Sequence, residues 1–184
     1  MSSPVVPAKP NIPNCITSAR IAGTVVLLFL TPLTPVFLVL YTLCGISDVL
    51  DGWIARKTNS ISEFGSKLDS IADLIFYALM IIRLLPVLWR ILPLWFWYIV
   101  GGIVFLRFIA YLTAAVKYHR FAALHTRMNK ITGAAMFLLP YFLALPFATT
   151  YCFIVMGIAC ISSVEELVIH ITHKEYHPNT KALF

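Results

Sequence analysis

The sequence predicts an all-α integral membrane protein, with six transmembrane helices and a short N-terminal interfacial segment. Three observations predict this. Hydrophobic residues make up 60% of the 184 residues and charged residues only 12%, a balance outside that of soluble globular domains. The apolar residues fall in long runs, parted by short connections that carry Pro or basic residues. The basic residues cluster at the ends of those runs, where membrane helices meet headgroups. The length leaves room for one domain, residues 1–184, of which the Pro-rich residues 1–10 are expected to be loosely ordered. That start has no apolar core, so no cleavable signal peptide is expected.

The first span runs from about Ile16 to Leu30, short for a 30 Å core, with Asn11 to Cys15 leading in along the interface. Thr31-Pro32-Leu33-Thr34-Pro35 breaks it. The second span covers about Val36 to Ala55 and the third about Ser62 to Leu85, with the polar residues Lys57 to Ser62 as a loop between them. Pro86 to Pro93 reads as a turn with aromatic and basic anchors. The fourth span covers about Leu94 to Val116, and its Trp95, Phe96, Trp97 and Tyr98 read as a lipid-facing interfacial belt. A basic connection, Lys117 to Lys130, leads to a fifth span over about Ile131 to Leu145 and a sixth over about Tyr151 to Ile171. Even parity puts both termini on one side. That side also takes Lys9, Arg20, Arg56, Lys57, Lys117, Arg120, Arg127, Lys130, Lys174 and Lys181, against Arg83 and Arg90 opposite. Positive-inside asymmetry makes it the cytoplasmic face. The net charge of +6 thus serves a bilayer surface and phosphate rather than nucleic acid. The four cysteines form no C-x-x-C and read as buried apolar thiols without disulfides.

Every aspartate lies between Asp48 and Asp73. An ionisable group inside a membrane costs about 2.5–3.5 kcal/mol on insertion scales, so each is a functional candidate by default. Asp48 and Asp51 are three apart and share a helical face; Asp69 and Asp73 are four apart and do the same. Two antiparallel helices joined by a short loop would turn these pairs toward one crevice. Like charges in contact force protonation unless cations offset them. An all-oxygen donor set suits Mg²⁺, Mn²⁺ or Ca²⁺, and two such ions would clamp a phosphoryl group. Gly52, Ala55 and Gly65 leave room for a ligand near the backbone, and Arg56 suits a phosphate or a base. A structural polar cluster or the ion site of a small cation transporter is the competing reading.

The pattern D-x-x-D-G-x-x-A-R, eight residues, G-x-x-x-D-x-x-x-D resembles the signature of the CDP-alcohol phosphotransferase family at each fixed position. Asn11-Ile-Pro-Asn14-Cys-Ile-Thr17-Ser-Ala-Arg20 is similar to the segment that opens the first helix in many members. The resemblance implies transfer of a phosphatidyl group from CDP-diacylglycerol to a small hydroxyl acceptor, with release of CMP. It implies two Mg²⁺ or Mn²⁺ ions on Asp48, Asp51, Asp69 and Asp73. A CDP pocket would be formed by Asp48, Gly52, Ala55, Arg56, Gly65 and Asp69, with Asp73 as general base. It also implies a homodimer. Glycerol 3-phosphate leads among acceptors. Ser70 stands where many phosphatidylglycerophosphate synthases have Pro, so serine, inositol phosphate and phosphatidylglycerol stay open, with CDP-choline chemistry behind them.

Arg107, inside the fourth span, either binds an anionic group of the acceptor or pairs with Glu165 or Glu166. Arg127 and Lys130 are acceptor-phosphate candidates by the resemblance, weighed against headgroup anchoring; Lys117 and Arg120 read as anchors. Structural pairing is expected for Glu165 and Glu166. His170, His173 and His177 read as interfacial histidines rather than a metal site.

Overall fold

The computed structural model describes residues 12–58, 62–118 and 126–172. They form six α-helices: α1 Ile12–Leu27, α2 Pro35–Lys57, α3 Glu63–Ile91, α4 Leu94–Tyr118, α5 Arg127–Leu143 and α6 Ala148–Thr172. Each falls where a span is predicted. Four of them, α2, α3, α4 and α6, are long and apolar enough to cross a membrane. The 16 residues of α1 and the 17 of α5 reach only about 24–26 Å at 1.5 Å per residue, short of a 30 Å hydrocarbon core. The chain is thus an all-α, multi-pass membrane protein, with the first and fifth spans shorter than a full crossing.

Two compact units divide the chain, Met1–Leu88 and Trp89–Phe184. In the first, α1 packs along α2. The buried face of α1 is Pro13, Thr17, Arg20, Thr24 and Leu27, spaced four, three, four and three residues apart. That is one stripe of a helix, and three of its five members are polar. The helix turns its polar stripe inward and its apolar residues outward, the reverse of a soluble amphipathic helix. Gly23 leaves room for the α2 side chains: a Cβ there would stand 3.0 Å from Cys44 Sγ. An aromatic column, Phe37, Tyr41 and Phe76, joins α2 to α3, with Tyr41 and Phe76 stacked at 5.4 Å.

The ends of α2 and α3 follow from local chemistry. Thr34 caps α2, its hydroxyl accepting from the Phe37 amide at 3.3 Å, with Pro35 at the first helical position. Leu33 just before the cap has φ 66°, a left-handed conformation unusual for a leucine. Arg56 and Lys57 lie in the last turn of α2, favourable to the helix dipole. Ser62 opens α3 by accepting from the Gly65 amide at 3.0 Å. The helical part of α2 extends to Lys57, and residues 59–61 of the expected loop lie outside the described residues.

Three expectations are corrected. Asn14 and Cys15 do not form a separate lead-in segment; they lie in α1 itself. Pro86 does not end α3, which runs on to Ile91 and breaks only at Leu92-Pro93. Proline removes a single donor from a helix, and membrane helices tolerate that loss. The aromatic group at the start of α4 is not a uniform lipid-facing belt. Phe96 is only 6% exposed and packs edge-on against Phe153 of α6, while Trp97 lies 4.9 Å from Trp89. Trp95 and Tyr98 are exposed as expected.

In the second unit α6 packs against both α4 and α5. Thr126 caps α5 through the Asn129 amide at 3.1 Å. Cys44 and Cys152 are buried, whereas Cys15 and Cys160 are exposed on helix surfaces, so only half of the thiols are buried as expected.

Candidate active site

The site lies wholly in the first unit and is built by α1, α2 and α3. Asp48 and Asp51 stand in the last three turns of α2, and Asp69 and Asp73 in the first three of α3. The helical spacing turns each pair to one side, and the two sides meet. One carboxylate oxygen from each of Asp48, Asp51 and Asp69 lies within 4.8 Å of the others. Asp73 stands outside that triad and joins the cluster through Arg20 and Asp48.

Arg20 of α1 is the hub. Its side chain is 1% exposed. Nη1 donates to Asp48 Oδ1, and to Asp73 Oδ1 at 2.9 Å. Nη2 donates to Asp69 Oδ1 and stands 3.5 Å from Asp51 Oδ2. One planar fork thus reaches both pairs, a geometry that lysine cannot reproduce. Its Nε is buried without a hydrogen-bond partner. Asp51 is the most enclosed of the four, with a side chain 3% exposed, against 42–43% for Asp48, Asp69 and Asp73. Thr17 Oγ1 stands 2.7 Å from Asp51 Oδ2 and 3.0 Å from the Pro13 carbonyl. A hydroxyl has one proton to give, and the charged acceptor at the shorter distance takes it.

Beside the carboxylates opens a cavity of about 210 Å³, lined by Asn14, Thr17, Asp51, Gly52, Ala55, Arg56, Ser62, Gly65 and Asp69 among others. Gly52, Ala55, Arg56 and Gly65, singled out from the sequence for a CDP pocket, therefore share one wall-to-wall space with Asp51 and Asp69. The glycines have a steric reason. A Cβ on Gly65 would meet Asn14 Oδ1 at 2.9 Å and Ser62 Oγ at 3.0 Å, and one on Gly52 would meet Arg56 Nη1 at 3.4 Å. Gly65 lets α3 approach α1; Gly52 leaves space for the Arg56 guanidinium.

Sequence reasoning missed Arg20, Thr17 and Asn14 as parts of the site. It assigned Arg20 to the charge count of the cytoplasmic face, yet the side chain is turned inward. The signal was present in the same form as for the aspartates: an ionisable residue inside an apolar helix, in line with two threonines.

The other candidates lie in the second unit. Arg107 donates from Nη2 to Asn129 Oδ1 at 3.0 Å and from Nε to Ser163 Oγ at 3.3 Å, and its Nη1 lies 3.9 Å from Glu166 Oε2. Ser162 donates to Asn129 Oδ1 at 2.6 Å, and Asn129 Nδ2 to Glu166 Oε2 at 3.3 Å. Of the two readings of Arg107, this geometry displays the pairing with Glu166. Arg127 and Lys130 are exposed in the first turn of α5. Lys117 is more than a headgroup anchor: its Nζ donates to the carbonyls of His170 and Ile171 at 2.9 and 2.8 Å, capping the end of α6. His170, in the last turn of α6, is fully buried, with both ring nitrogens unpartnered, 5.8 Å from the Tyr118 ring. Arg120, His173 and His177 lie outside the described residues.

With this geometry in place, known proteins give the lineage. Residues 10–165 match the family model described as CDP-alcohol phosphatidyltransferase. The chain belongs to this family. It is 41% identical over 80 residues to a CDP-diacylglycerol–glycerol-3-phosphate 3-phosphatidyltransferase of Rickettsia bellii, covering 41% of this chain and 44% of the relative. It is 40% identical over 95 residues to a cardiolipin synthase (CMP-forming) of Streptomyces coelicolor, covering 46% and 42%. A third relative is a CDP-diacylglycerol–inositol 3-phosphatidyltransferase of Arabidopsis thaliana, 40% identical over 50 residues, 27% of this chain and 22% of that one. The chain thus spans less than half the length of these relatives. No solved structure matches it. For a CDP-alcohol phosphatidyltransferase the donor set is chemically apt: three carboxylate oxygens converge, and among the described residues no His or Cys joins them, which suits a hard divalent cation.

Proposed function

We propose that this family member is a divalent-metal-dependent phosphatidyltransferase of phospholipid synthesis. It would move the phosphatidyl group of CDP-diacylglycerol to a small hydroxyl acceptor and release CMP. The observation that carries the proposal is the convergence of Asp48, Asp51 and Asp69 beside the cavity of Gly52, Ala55, Arg56 and Gly65. Residues 1–184 would act as one membrane domain, paired as a homodimer, with the site open to the cytosol.

Asp48, Asp51 and Asp69 hold Mg²⁺ or Mn²⁺ in this reading, with Asp73 completing a two-ion set. Bound there, the ions would offset carboxylate charge and stabilise charge developing on the donor pyrophosphate. Thr17 fixes the Asp51 carboxylate through its hydroxyl. Gly52 and Gly65 leave space for the cytidine phosphate, and Arg56 meets its negative charge. The acceptor hydroxyl attacks the phosphorus that bears the diacylglycerol; that phosphorus parts from the bridging oxygen, which leaves with CMP. Asp73 takes the hydroxyl proton. A carboxylate bound tightly to a cation is a poor base, so this role requires Asp73, which lies outside the close triad, to hold its ion loosely and to be released by Arg20.

Glycerol 3-phosphate leads as acceptor, supported by the Rickettsia relative, with Arg127 and Lys130 as candidates for its phosphate and Arg107 behind them. The match to a cardiolipin synthase (CMP-forming) supports a second reading, phosphatidylglycerol as acceptor. Purified protein with CDP-diacylglycerol, Mg²⁺ or Mn²⁺ and a panel of acceptors decides between them through CMP and the lipid product. Metal-dependent CMP release with one acceptor is expected. Cation flux in liposomes without nucleotide, and no CMP with any acceptor, would show a transporter instead.

A further inference from the structure

Arg20 is one cation serving four carboxylates. It comes from a different helix than any of them, and its side chain is 1% exposed. Nη1 bridges Asp48 to Asp73, and Nη2 bridges Asp69 to Asp51. The fork therefore spans α2 and α3 as well as both members of each pair. Its hydrogen bonds end on Asp48, Asp69 and Asp73, and the first two are among the residues whose oxygens converge tightly enough to ligate an ion. A divalent ion and a guanidinium competing for those oxygens would be like charges in contact in a poorly solvated place. The quartet has a formal charge of −4 and Arg20 leaves −3, so ions are still attracted. They must nevertheless displace a resident.

We propose that Arg20 is the built-in counter-ion of the carboxylate quartet, and that divalent ions enter by exchange against it. The proposal rests on the metal-dependent reading above and deepens it. Without metal, the guanidinium holds α2 and α3 with their carboxylates converged, so the site is assembled before an ion arrives. As ions take the oxygens, the fork gives them up. The resident cation thus lowers metal affinity while keeping the metal-free site in shape. A merely structural arginine would affect stability and leave metal affinity alone.

Mn²⁺ binding to the purified full-length protein in nanodiscs, without nucleotide and followed by electron paramagnetic resonance, separates these cases. Wild type is compared with Arg20→Gln and Arg20→Lys. Arg20→Gln is expected to bind Mn²⁺ about tenfold more tightly or better, since residues within one charged network couple at that scale. Its melting temperature without metal falls, and saturating Mn²⁺ raises that temperature by more than it raises the wild type's. Arg20→Lys keeps the charge but not the fork and falls between the two. An Mn²⁺ affinity in Arg20→Gln equal to or weaker than wild type overturns the exchange. Should Arg20→Gln fail to fold, Arg20→Lys carries the test alone: tighter binding supports exchange, and equal or weaker binding refutes it. Wild-type protein that binds Mn²⁺ while the variants match it sinks the inference only. Absence of Mn²⁺ binding in the wild type and in both variants, with CDP-diacylglycerol present as well as absent, sinks the metal-dependent reading as well.

Discussion

Asp51 and Asp73 have different surroundings, and their substitutions should fail differently. Asp51 is enclosed and held by Thr17, within the close triad. Asp51→Asn or Asp69→Asn should lower turnover by about a hundredfold or more, equivalent to about 2.7 kcal/mol of lost transition-state stabilisation, with weakened Mn²⁺ binding alongside. Asp73→Asn should lower kcat by about 10²–10⁴, the usual range for a lost base, while a CDP-diacylglycerol binding isotherm stays close to wild type. Near-normal turnover in Asp73→Asn would remove it as the base. Thr17→Val deletes only the hydroxyl that steadies Asp51; losing such a supporting partner weakens metal binding by about 10–100-fold, and a metal titration reads it directly. The spacing of the aspartates was legible in the sequence because three- and four-residue offsets share a helical face whatever the tertiary arrangement. Arg20 was not, because its role depends on which way α1 is turned, and that becomes visible only when Pro13, Thr17, Arg20 and Thr24 are seen as a single inward stripe.

Between α1 and α2, Gly23 lies close against Cys44. Gly23→Val would drive a branched side chain into Cys44 and against Leu40, an overpacking worth about 1–3 kcal/mol; a fall in melting temperature with a matching loss of CMP release is the expected result. In the second unit, α4, α5 and α6 are tied by Arg107, Asn129, Ser162 and Glu166. Removing the arginine alone takes a nearby cation from the buried Glu166, which keeps the Asn129 amide. Arg107→Leu should therefore cost about 3 kcal/mol, and the double variant Arg107→Leu with Glu166→Leu should recover part of it, as a thermal-melt cycle would show. Helix positions were readable from apolar runs and their breaks at Thr31 to Pro35 and at Pro93. The end of α3 was not, because Pro86 punctuates soluble helices more strongly than membrane ones. The burial of Phe96 was also hidden. An aromatic run near a helix end looks the same in sequence whether a ring meets lipid or, as here, Phe153.

For the molecule as a whole, the family match over residues 10–165 covers α1 through most of α6. The helical membrane architecture is what such composition dictates, since a backbone in hydrocarbon must satisfy its own hydrogen bonds. Activity should vanish with a chelator and return with added Mg²⁺ or Mn²⁺, measured as CMP released per protein; activity that persists without free divalent metal would contradict the proposed chemistry. The acceptor was not legible, because acceptor recognition depends on side chains brought together by folding rather than on a run of residues.

The inward arginine of α1 bears on how the chain is made. Helix α1 leaves the ribosome before α2 and α3, so its guanidinium meets the bilayer ahead of all four aspartates. A helix of 16 residues burdened by a charge worth about 2.5–3.5 kcal/mol at the bilayer centre gains little by partitioning alone. The nascent first helix should therefore linger at the translocon until its carboxylate partners emerge, and then enter with them as one cooperative unit.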